Sequence, residues 1–523
     1  MLDSAHAGAP GDPGGAPAGP ARAIRTLIHS PRDIAAGVRL ADLVAPLADA
    51  DVRGDVDVPV RDLTYRSGEC RPGLLFFCVP GTHVDGHDFA PEAAARGAAG
   101  VVAERFLQGL PAGCAQVRVP SVRAAMGPVS ATFFGRPADR MRVVGVTGTN
   151  GKTTTTFLLE SIFRAAGLVP GVVGTTGVRV DGRPVPFDRT TPEAPDLHRL
   201  FAGMVAEGVE AVAAEVSSHG LDQHRVDGTR FACAVFTNLS QDHLDYHGTM
   251  EAYFTAKARL FTPVLADRAV VNADSPEGRR LVATSRIPVR TFGTDDAADV
   301  RATRVAVGPA GLSFVVDGLR VESRLRGTFN VSNCLAAYAA ARELEIEGSA
   351  IADGIAALEG VPGRVEAVDA GQAFSVLVDY AHTPDGLDNV LRDARALAGP
   401  ARVIAVFGCG GDRDRAKRPL MGEAATRWAD LTVVTSDNPR SEDPEAIVDE
   451  IVPGARRGGR PFTTEVDRRH AIRVALATAR PGDVVVIAGK GHETGQQFAD
   501  RTIPFDDRVV AREELAALLG ESP

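Results

Sequence analysis

The run Arg142-Val143-Val144-Gly145-Val146 leads into Gly148-Thr149-Asn150-Gly151-Lys152-Thr153 and then into an amphipathic stretch ending near Gly167. A β-rich run, a glycine-containing turn and a helix start, in that order, leave few folds open. Such a turn aims backbone N–H groups at one point, the positive end of the helix faces the same point, and phosphate oxygens suit it. Lys152 would reach the outer phosphates of a nucleotide, and Thr153 would place a hydroxyl on Mg²⁺. The competing reading is a glycine-rich turn that binds nothing, but strand, GKT core and helix all agree. One departure stands out: the general pattern GxxxxGK[ST] has glycine five positions before Gly151, and this chain has Val146 there.

The 523 residues exceed one ordinary core and imply about three domains at roughly 150 residues each. Composition is that of a globular chain, 44% apolar and 24% charged, with aromatics at only 5%, so the cores are expected to be aliphatic. A net charge of -10 argues against a general nucleic-acid or membrane-surface binder, while leaving room for a local basic pocket. No apolar stretch approaches the roughly 18 residues of a spanning helix. Residues 1–33 read as a disordered Ala-, Gly- and Pro-rich tail without the pattern of a signal peptide. Cys70, Cys78, Cys114, Cys233, Cys334 and Cys409 form no CxxC pair and read as buried thiols of a cytoplasmic protein.

Three blocks follow the tail, at 34–140, 141–362 and 363–523. The first reads as a small α/β unit whose strand order is not recoverable. In the second, further strands are expected at Val209 to Val216 and Phe231 to Leu239, giving a mainly parallel sheet. In the third, FSVLVDY, ARVIAVFG, LTVVTSD and DVVVIAG alternate with helical stretches such as Pro384 to Leu397 and Asp467 to Ala479. That is the rhythm of a Rossmann-like doubly wound fold, whose ligands sit at the carboxyl ends of the strands. FGCGGDRD, TSDNPR and IAGKGHE all fall at such ends.

Two segments supply metal chemistry. Glu215 closes an apolar run, and a carboxylate at a strand end beside a phosphate loop suits Mg²⁺, which prefers oxygen ligands. His243, in NLSQDHLDYH, is a candidate second ligand, although any single histidine here is equally a surface or capped residue. The spacings match no HExxH-type zinc pattern. On residue type alone Lys257 is a solvated helix lysine, Thr190 to Asp196 a loop with a helix N-cap, and Asn330 a helix N-cap.

The variant GTNGKT, with these segments, resembles the Mur ligases and the related folylpolyglutamate synthetases, and from the phosphate loop onward the resemblance covers most of the chain. It implies an α/β protein of three domains: a small UDP-binding domain, a central P-loop ATPase domain and a C-terminal Rossmann-like domain that takes an amino acid. It implies an ATP site at Gly148, Thr149, Asn150, Gly151, Lys152, Thr153, Thr154, Asn330, Arg364, Asp379 and His382. It implies Mg²⁺ held by Thr153, Glu215, His243 and Lys257, the last as a carbamate (N6-carboxylysine). Lys152, Glu215, His243 and Lys257 would carry catalysis. Thr190, Thr191, Ser217, Gln223 and Arg225 fall where that family contacts a muramoyl-peptide. Ser67 falls on a UDP contact, with Arg66 replacing the Asp usual before it.

Within the family, Asp437-Asn438-Pro439-Arg440 resembles the diaminopimelate-adding type, whereas lysine-adding members differ at this motif. Diaminopimelate carries a second carboxylate that lysine lacks, and a guanidinium grips a carboxylate through two parallel hydrogen bonds. Arg440 is therefore the expected reader, supported by Arg413, with Gly489 and Glu493 completing the pocket and Glu493 facing the distal ammonium. The expected activity joins meso-diaminopimelate to UDP-N-acetylmuramoyl-L-alanyl-D-glutamate through an acyl phosphate, with small-molecule partners only, as a monomer. Competing readings are a lysine-adding ligase, a folylpolyglutamate synthetase, a P-loop kinase, and a nucleotide-gated binding protein without ligase activity.

Overall fold

The computed structural model describes residues 37–81, 84–185, 187, 189–308 and 310–520; the Ala-, Gly- and Pro-rich stretch 1–33 lies outside them. Three principal sheets follow one another along the chain. The first orders Asp51–Arg53, Ala115–Arg118, Gly100–Ala103, Leu74–Phe77 and Asp62–Thr64, parallel apart from the first strand. One of its faces is covered by the helix Val122–Phe133, whose N-cap Ser121 accepts from Ala124 N.

The central sheet has nine strands. A hairpin, Arg183–Val185 and Gly177–Val180, precedes the run Pro170–Gly174, Ala211–Glu215, Arg142–Thr147, Cys233–Phe236, Ala269–Asn272, Val289–Gly293 and Val300–Arg301, all parallel. Alternation along each strand builds two cores. Val144 and Val146 face the helices Lys152–Ala165 and Phe329–Glu343, while Val143 faces the opposite side with Val212 and Phe236. This two-sided burial explains the near-continuous apolar runs, because a parallel sheet covered on both faces leaves no polar side. A three-stranded antiparallel sheet, Thr303–Gly308, Gly311–Val316 and Leu319–Ser323, is appended to it.

The last sheet orders Glu366–Ala367, Ser375–Asp379, Val484–Ala488, Val403–Phe407, Leu431–Val434 and Phe462–Thr464, parallel except for the first. It too has a core on each face. All six cysteines are free and buried. Asn330 departs from its helix-cap expectation. It is the second residue of Phe329–Glu343, after Thr328 at the cap, and its amide donates back to Arg326 O at 2.6 Å.

Candidate active site

Strand register brings the central motifs to one edge. Glu215 pairs with Val146, and Phe236 with Thr147, so the phosphate loop, the Glu215 carboxylate and the segment from Asn238 leave the sheet together. Val146 is a buried strand residue between these neighbours, so glycine is not required at that place. Two glycines are required. At Gly148 (φ +150°) a Cβ would stand 1.9 Å from Thr237 Oγ1, and at Gly151 (φ +89°) 2.4 Å from Asn333 Oδ1. The loop is tied to the next strand end. Asn150 N donates to Asn238 Oδ1 at 2.9 Å, and Thr149 Oγ1 donates to Ser240 O at 3.1 Å. Thr154, one residue beyond Thr153, is buried in the first helical turn.

Lys152 Nζ folds back onto Gly148 O and Thr149 O, at 2.8 and 2.9 Å. Lys257 Nζ donates to the same Gly148 O at 2.9 Å. The reading of Lys257 as a solvated lysine is overturned: the helix Met250–Ala258 turns it inward to 1% exposure, against the Tyr253 ring. Burial first, and then the charge of Lys152, drive the Lys257 pKa well below its usual range. Burial lowers that of Lys152 as well, with Glu215 and Asp242 opposing.

Glu215 is 1% exposed and receives Thr175 N and Thr175 Oγ1, at 2.9 and 2.8 Å. His243 has φ +55° and precedes the short helix Leu244–His247, its Nε2 3.3 Å from Asp242 Oδ2; burial lowers its pKa to about 3. Among the described residues no three His, Cys, Asp or Glu side chains form a ready-made metal cluster.

The C-terminal sheet repeats the arrangement. Asp379, Ala488, Phe407 and Val434 stand level in register, so four loops leave one edge. Buried Asp379 receives Val365 N and Ala381 N, both at 2.8 Å, and burial raises its pKa. Asn438 donates to Glu493 Oε2 at 2.8 Å, while Lys490 Nζ donates to Asn438 Oδ1 and Glu493 Oε2, at 2.9 and 3.0 Å. Glu493 thus already faces an ammonium, that of Lys490. Half-buried Arg440 (φ +53°) donates through Nη1 to Gly411 O at 2.7 Å, and burial followed by Arg413 lowers its pKa. Arg413 itself is exposed and donates to Asp412 O. Close packing explains the small residues: a Cβ at Gly489 would lie 2.5 Å from Asp437 Oδ2, and one at Gly411 1.9 Å from Pro439 O.

The two edges face each other. Arg364 Nη2 donates to Thr153 Oγ1 at 3.1 Å, and Asn150 Nδ2 to Asp385 Oδ2 at 2.9 Å. Asp242, which sequence reasoning passed over beside His243, gathers both sides. Its Oδ2 is 3.7 Å from His382 Nε2, and its Oδ1 is 3.6 Å from Lys417 Nζ. Burial works to raise the Asp242 pKa, but His382 and Lys417 hold it well below the usual range. Sequence reasoning also missed Thr175, Lys490 and Arg468. The fully buried Arg468 donates to Ser436 O, Ala488 O and Asp507, binding together the bases of the DNPR and GKGHE loops. The DRR sequence at a helix start carried a signal only for its cap, since Asp467 accepts from His470 N.

The remaining motif lies on the other flank of the phosphate loop. Thr191 Oγ1 donates to Glu215 O at 2.9 Å and receives Ser217 N at 3.0 Å; Thr190 Oγ1 is 3.1 Å from Thr175 Oγ1. Ser217 caps the helix Ser218–Asp222, and Arg225 donates to Thr191 O and Gln223 Oε1. Ser67 opens a helical turn in the first domain, next to Tyr65, whose hydroxyl donates to Asp196 Oδ2 at 2.6 Å. An open cavity of about 490 Å³ lies there between Thr64, Arg66, Glu69, Asp196 and Arg199.

Comparison with known proteins gives three matches along the chain. They are the Mur ligase family, catalytic domain, at residues 59–133, the Mur ligase middle domain at 146–341, and the Mur ligase, glutamate ligase domain, at 363–491. The UDP-N-acetylmuramoyl-L-alanyl-D-glutamate–2,6-diaminopimelate ligase of Geobacillus thermodenitrificans is 47% identical over 471 residues, 88% of this chain and 95% of its own. That of Streptomyces coelicolor is 45% identical over 498 residues, 92% of this chain and 97% of its own. A solved ligase of the same name is 34% identical, superposes with a TM-score of 0.65, and is matched over 92% of this chain and 99% of its own.

Proposed function

The chain belongs to the Mur ligase family, and from that premise we propose that it joins meso-2,6-diaminopimelate to the D-glutamate of UDP-N-acetylmuramoyl-L-alanyl-D-glutamate, with cleavage of ATP. It is an ATP-dependent amide-forming ligase of peptidoglycan precursor synthesis. The observation that carries this reading is the opposition of two sheet edges, one bearing the phosphate loop and the other DNPR and GKGHE, joined by Arg364–Thr153 and Asn150–Asp385. We assign UDP to 34–140, ATP to 141–362 and the amino acid to 363–523. We place the enzyme in the cytoplasm as a monomer; no described helix is long and apolar enough to cross a membrane.

The loop N–H groups and Lys152 would hold the ATP phosphates, Lys152 exchanging its two carbonyl partners for phosphate oxygens. Asn330, Arg364 and Asp379 would line the nucleotide. Thr153, Glu215, His243 and a carbamylated Lys257 would hold Mg²⁺, which when bound neutralises phosphate charge. The donors fit such a hard cation, because the Glu215 oxygens receive only the neutral N–H and hydroxyl of Thr175 and face no cationic hydrogen-bond donor. Carbamylation needs a neutral amine, and two amines on the single Gly148 oxygen, Lys257 buried and Lys152 half-buried, favour one being neutral.

Thr190, Thr191, Ser217, Gln223 and Arg225 would orient the dipeptide so that its γ-carboxylate takes the γ-phosphoryl group, giving an acyl phosphate and ADP. Arg440, with Arg413, would receive the distal carboxylate of diaminopimelate, between Asp437, Asn438 and Glu493. The free amine then attacks the acyl carbon and phosphate leaves. His382 is our candidate acceptor for the amine proton: its Nδ1 is engaged with Tyr380 O at 2.8 Å, and its Nε2 lies 3.7 Å from Asp242 Oδ2, a carboxylate that would stabilise the imidazolium formed.

The test is phosphate release from ATP and the nucleotide-dipeptide, with diaminopimelate and L-lysine offered in parallel, for wild type and Arg440→Ala. Preference for diaminopimelate, reduced about 10- to 100-fold in the variant, is expected for loss of a charge-assisted contact. Preference for lysine would leave the ligase standing and remove the role of DNPR. Absence of amino-acid-dependent release would point to a binding protein or kinase.

A further inference from the structure

Three guanidinium groups converge on one carboxylate where the first and central domains meet. Glu193, 7% exposed, immediately precedes the helix Ala194–Ala206. Its Oε1 is 2.6 Å from Arg189 Nη1 and 3.1 Å from Arg225 Nε, and its Oε2 is 3.7 Å from Arg123 Nη1. Arg123 belongs to the helix Val122–Phe133 of the first domain, whereas Arg189, Glu193 and Arg225 are central. Three positive charges thus meet one negative charge. Two of the N–H groups, Arg123 Nη1 and Arg225 Nε, are buried and make no hydrogen bond. Buried polar groups left in that condition cost stability, and clustered like charges cost more. Burial lowers the Arg225 pKa, and Arg189 and Arg123 lower it further against the pull of Glu193. The Arg189 side chain remains 46% exposed and that of Arg123 27%, so a ligand can reach the cluster. Arg225 also donates to Thr191 O at 3.1 Å, which sets the cluster beside the Thr190–Thr191 pair.

We propose that Arg123, Arg189 and Arg225 form one anion-binding cradle that straddles the two domains and takes an anionic group of the nucleotide-linked peptide, with Arg123 as the arm supplied by the first domain. The proposal rests on the substrate assigned above and extends it to two residues, Arg123 and Arg189, that no sequence motif indicated. Carboxylate and diphosphate oxygens share the chemistry that guanidinium forks recognise. Either would satisfy the unpartnered N–H groups and balance the excess charge. The cradle would couple substrate binding to the seating of the first domain on the central one.

The experiment measures initial rates of phosphate release against nucleotide-dipeptide for wild type, Arg123→Gln, Arg123→Lys and Arg189→Gln, with UDP as competing inhibitor. The KM for nucleotide-dipeptide is expected to rise on the order of tenfold in both Gln variants, with Arg123→Lys intermediate and the KM values for ATP and diaminopimelate unmoved. A purely structural role would not move one KM selectively. If inhibition by UDP weakens in parallel, the anion is the diphosphate; if UDP inhibition is unchanged while the KM rises, it is a carboxylate. A KM within twofold of wild type in both Gln variants overturns the cradle, as does an equal rise in all three KM values. Arg189→Gln changes a half-exposed residue and guards against misfolding of the Arg123 variants. Absence of amino-acid-dependent release in wild type would remove the ligase reading first. Calorimetric titration of nucleotide-dipeptide into wild type and Arg123→Gln then tests the cradle alone, and equal affinities overturn it.

Discussion

Lys152 and Lys257 share the Gly148 carbonyl oxygen as their acceptor. An ammonium is strongly hydrated, so two on one acceptor, with Lys257 buried and Lys152 half-buried, raise the cost of charging both. A neutral Lys257 amine can add CO₂, and the resulting carboxylate would exchange a costly cation for a metal ligand. We therefore expect Lys257→Gln to lose activity by on the order of 100-fold, the range seen when groups supporting a metal site are removed. We also expect wild type incubated with ¹³C-bicarbonate to show a carbamate carbon resonance absent from the variant. A wild type without that resonance would return Lys257 to the role of an amine donor to the loop. Arg440 illustrates a different point: its guanidinium is held by Gly411 O, so the proposed reader of the distal carboxylate is aimed in advance rather than recruited.

Elements explain where the site acquires its rigidity. The phosphate loop is laced to the neighbouring strand end through Thr149–Ser240 and Asn150–Asn238, and the DNPR and GKGHE loops are tied at their bases by Arg468. The helix Ala194–Ala206, which begins next to the cradle, is anchored by His198. That ring is fully buried, its Nε2 lies 3.1 Å from Asp227 O, and burial lowers its pKa to about 4. The folded state therefore keeps His198 neutral while the unfolded chain protonates it below about pH 6.5. Its contribution is fully present above that value, is lost progressively as pH falls from 6.5 towards 4, and changes no further below. The change amounts to roughly 3 kcal/mol at 1.36 kcal/mol per pKa unit. In denaturant titrations from pH 7 to 4, His198→Gln, which keeps a donor for Asp227 O, should lose less stability than wild type; parallel curves would exclude His198 as the titrating group.

At the scale of the molecule, contacts that cross from the central to the C-terminal domain form a consistent set. Besides the pairs at the site, Thr328 N and Oγ1 donate to Asp393, at 2.7 and 2.9 Å. Closure of this kind would shield an acyl phosphate from water. Asp393→Asn is expected to raise the KM for ATP several-fold and to enlarge the radius of gyration in small-angle scattering, with ATP analogue and diaminopimelate restoring the compact form; an unchanged profile would leave Thr328–Asp393 outside closure. Much of this architecture was legible in the chain. Four of the six strands of the C-terminal sheet, the helix Pro384–Ala398 and the strand–loop–helix at Arg142–Ala165 follow from apolar runs, glycines and caps, all of which act between residues close in sequence. Motif residues such as Glu215, His243 and Asn438 were legible for the same reason, since each ends or follows a recognisable strand. The burial of Lys257, the gathering of His382 and Lys417 by Asp242, the bracing of two loops by Arg468 and the meeting of Arg123 with Arg225 were not. The sequence by itself determined the local elements and the chemical types at their ends, because those depend on short-range sterics and hydrogen bonding. Only the tertiary structure decided which of those groups share a carbonyl, a carboxylate or a field, because desolvation and charge coupling depend on distances between residues far apart in the chain.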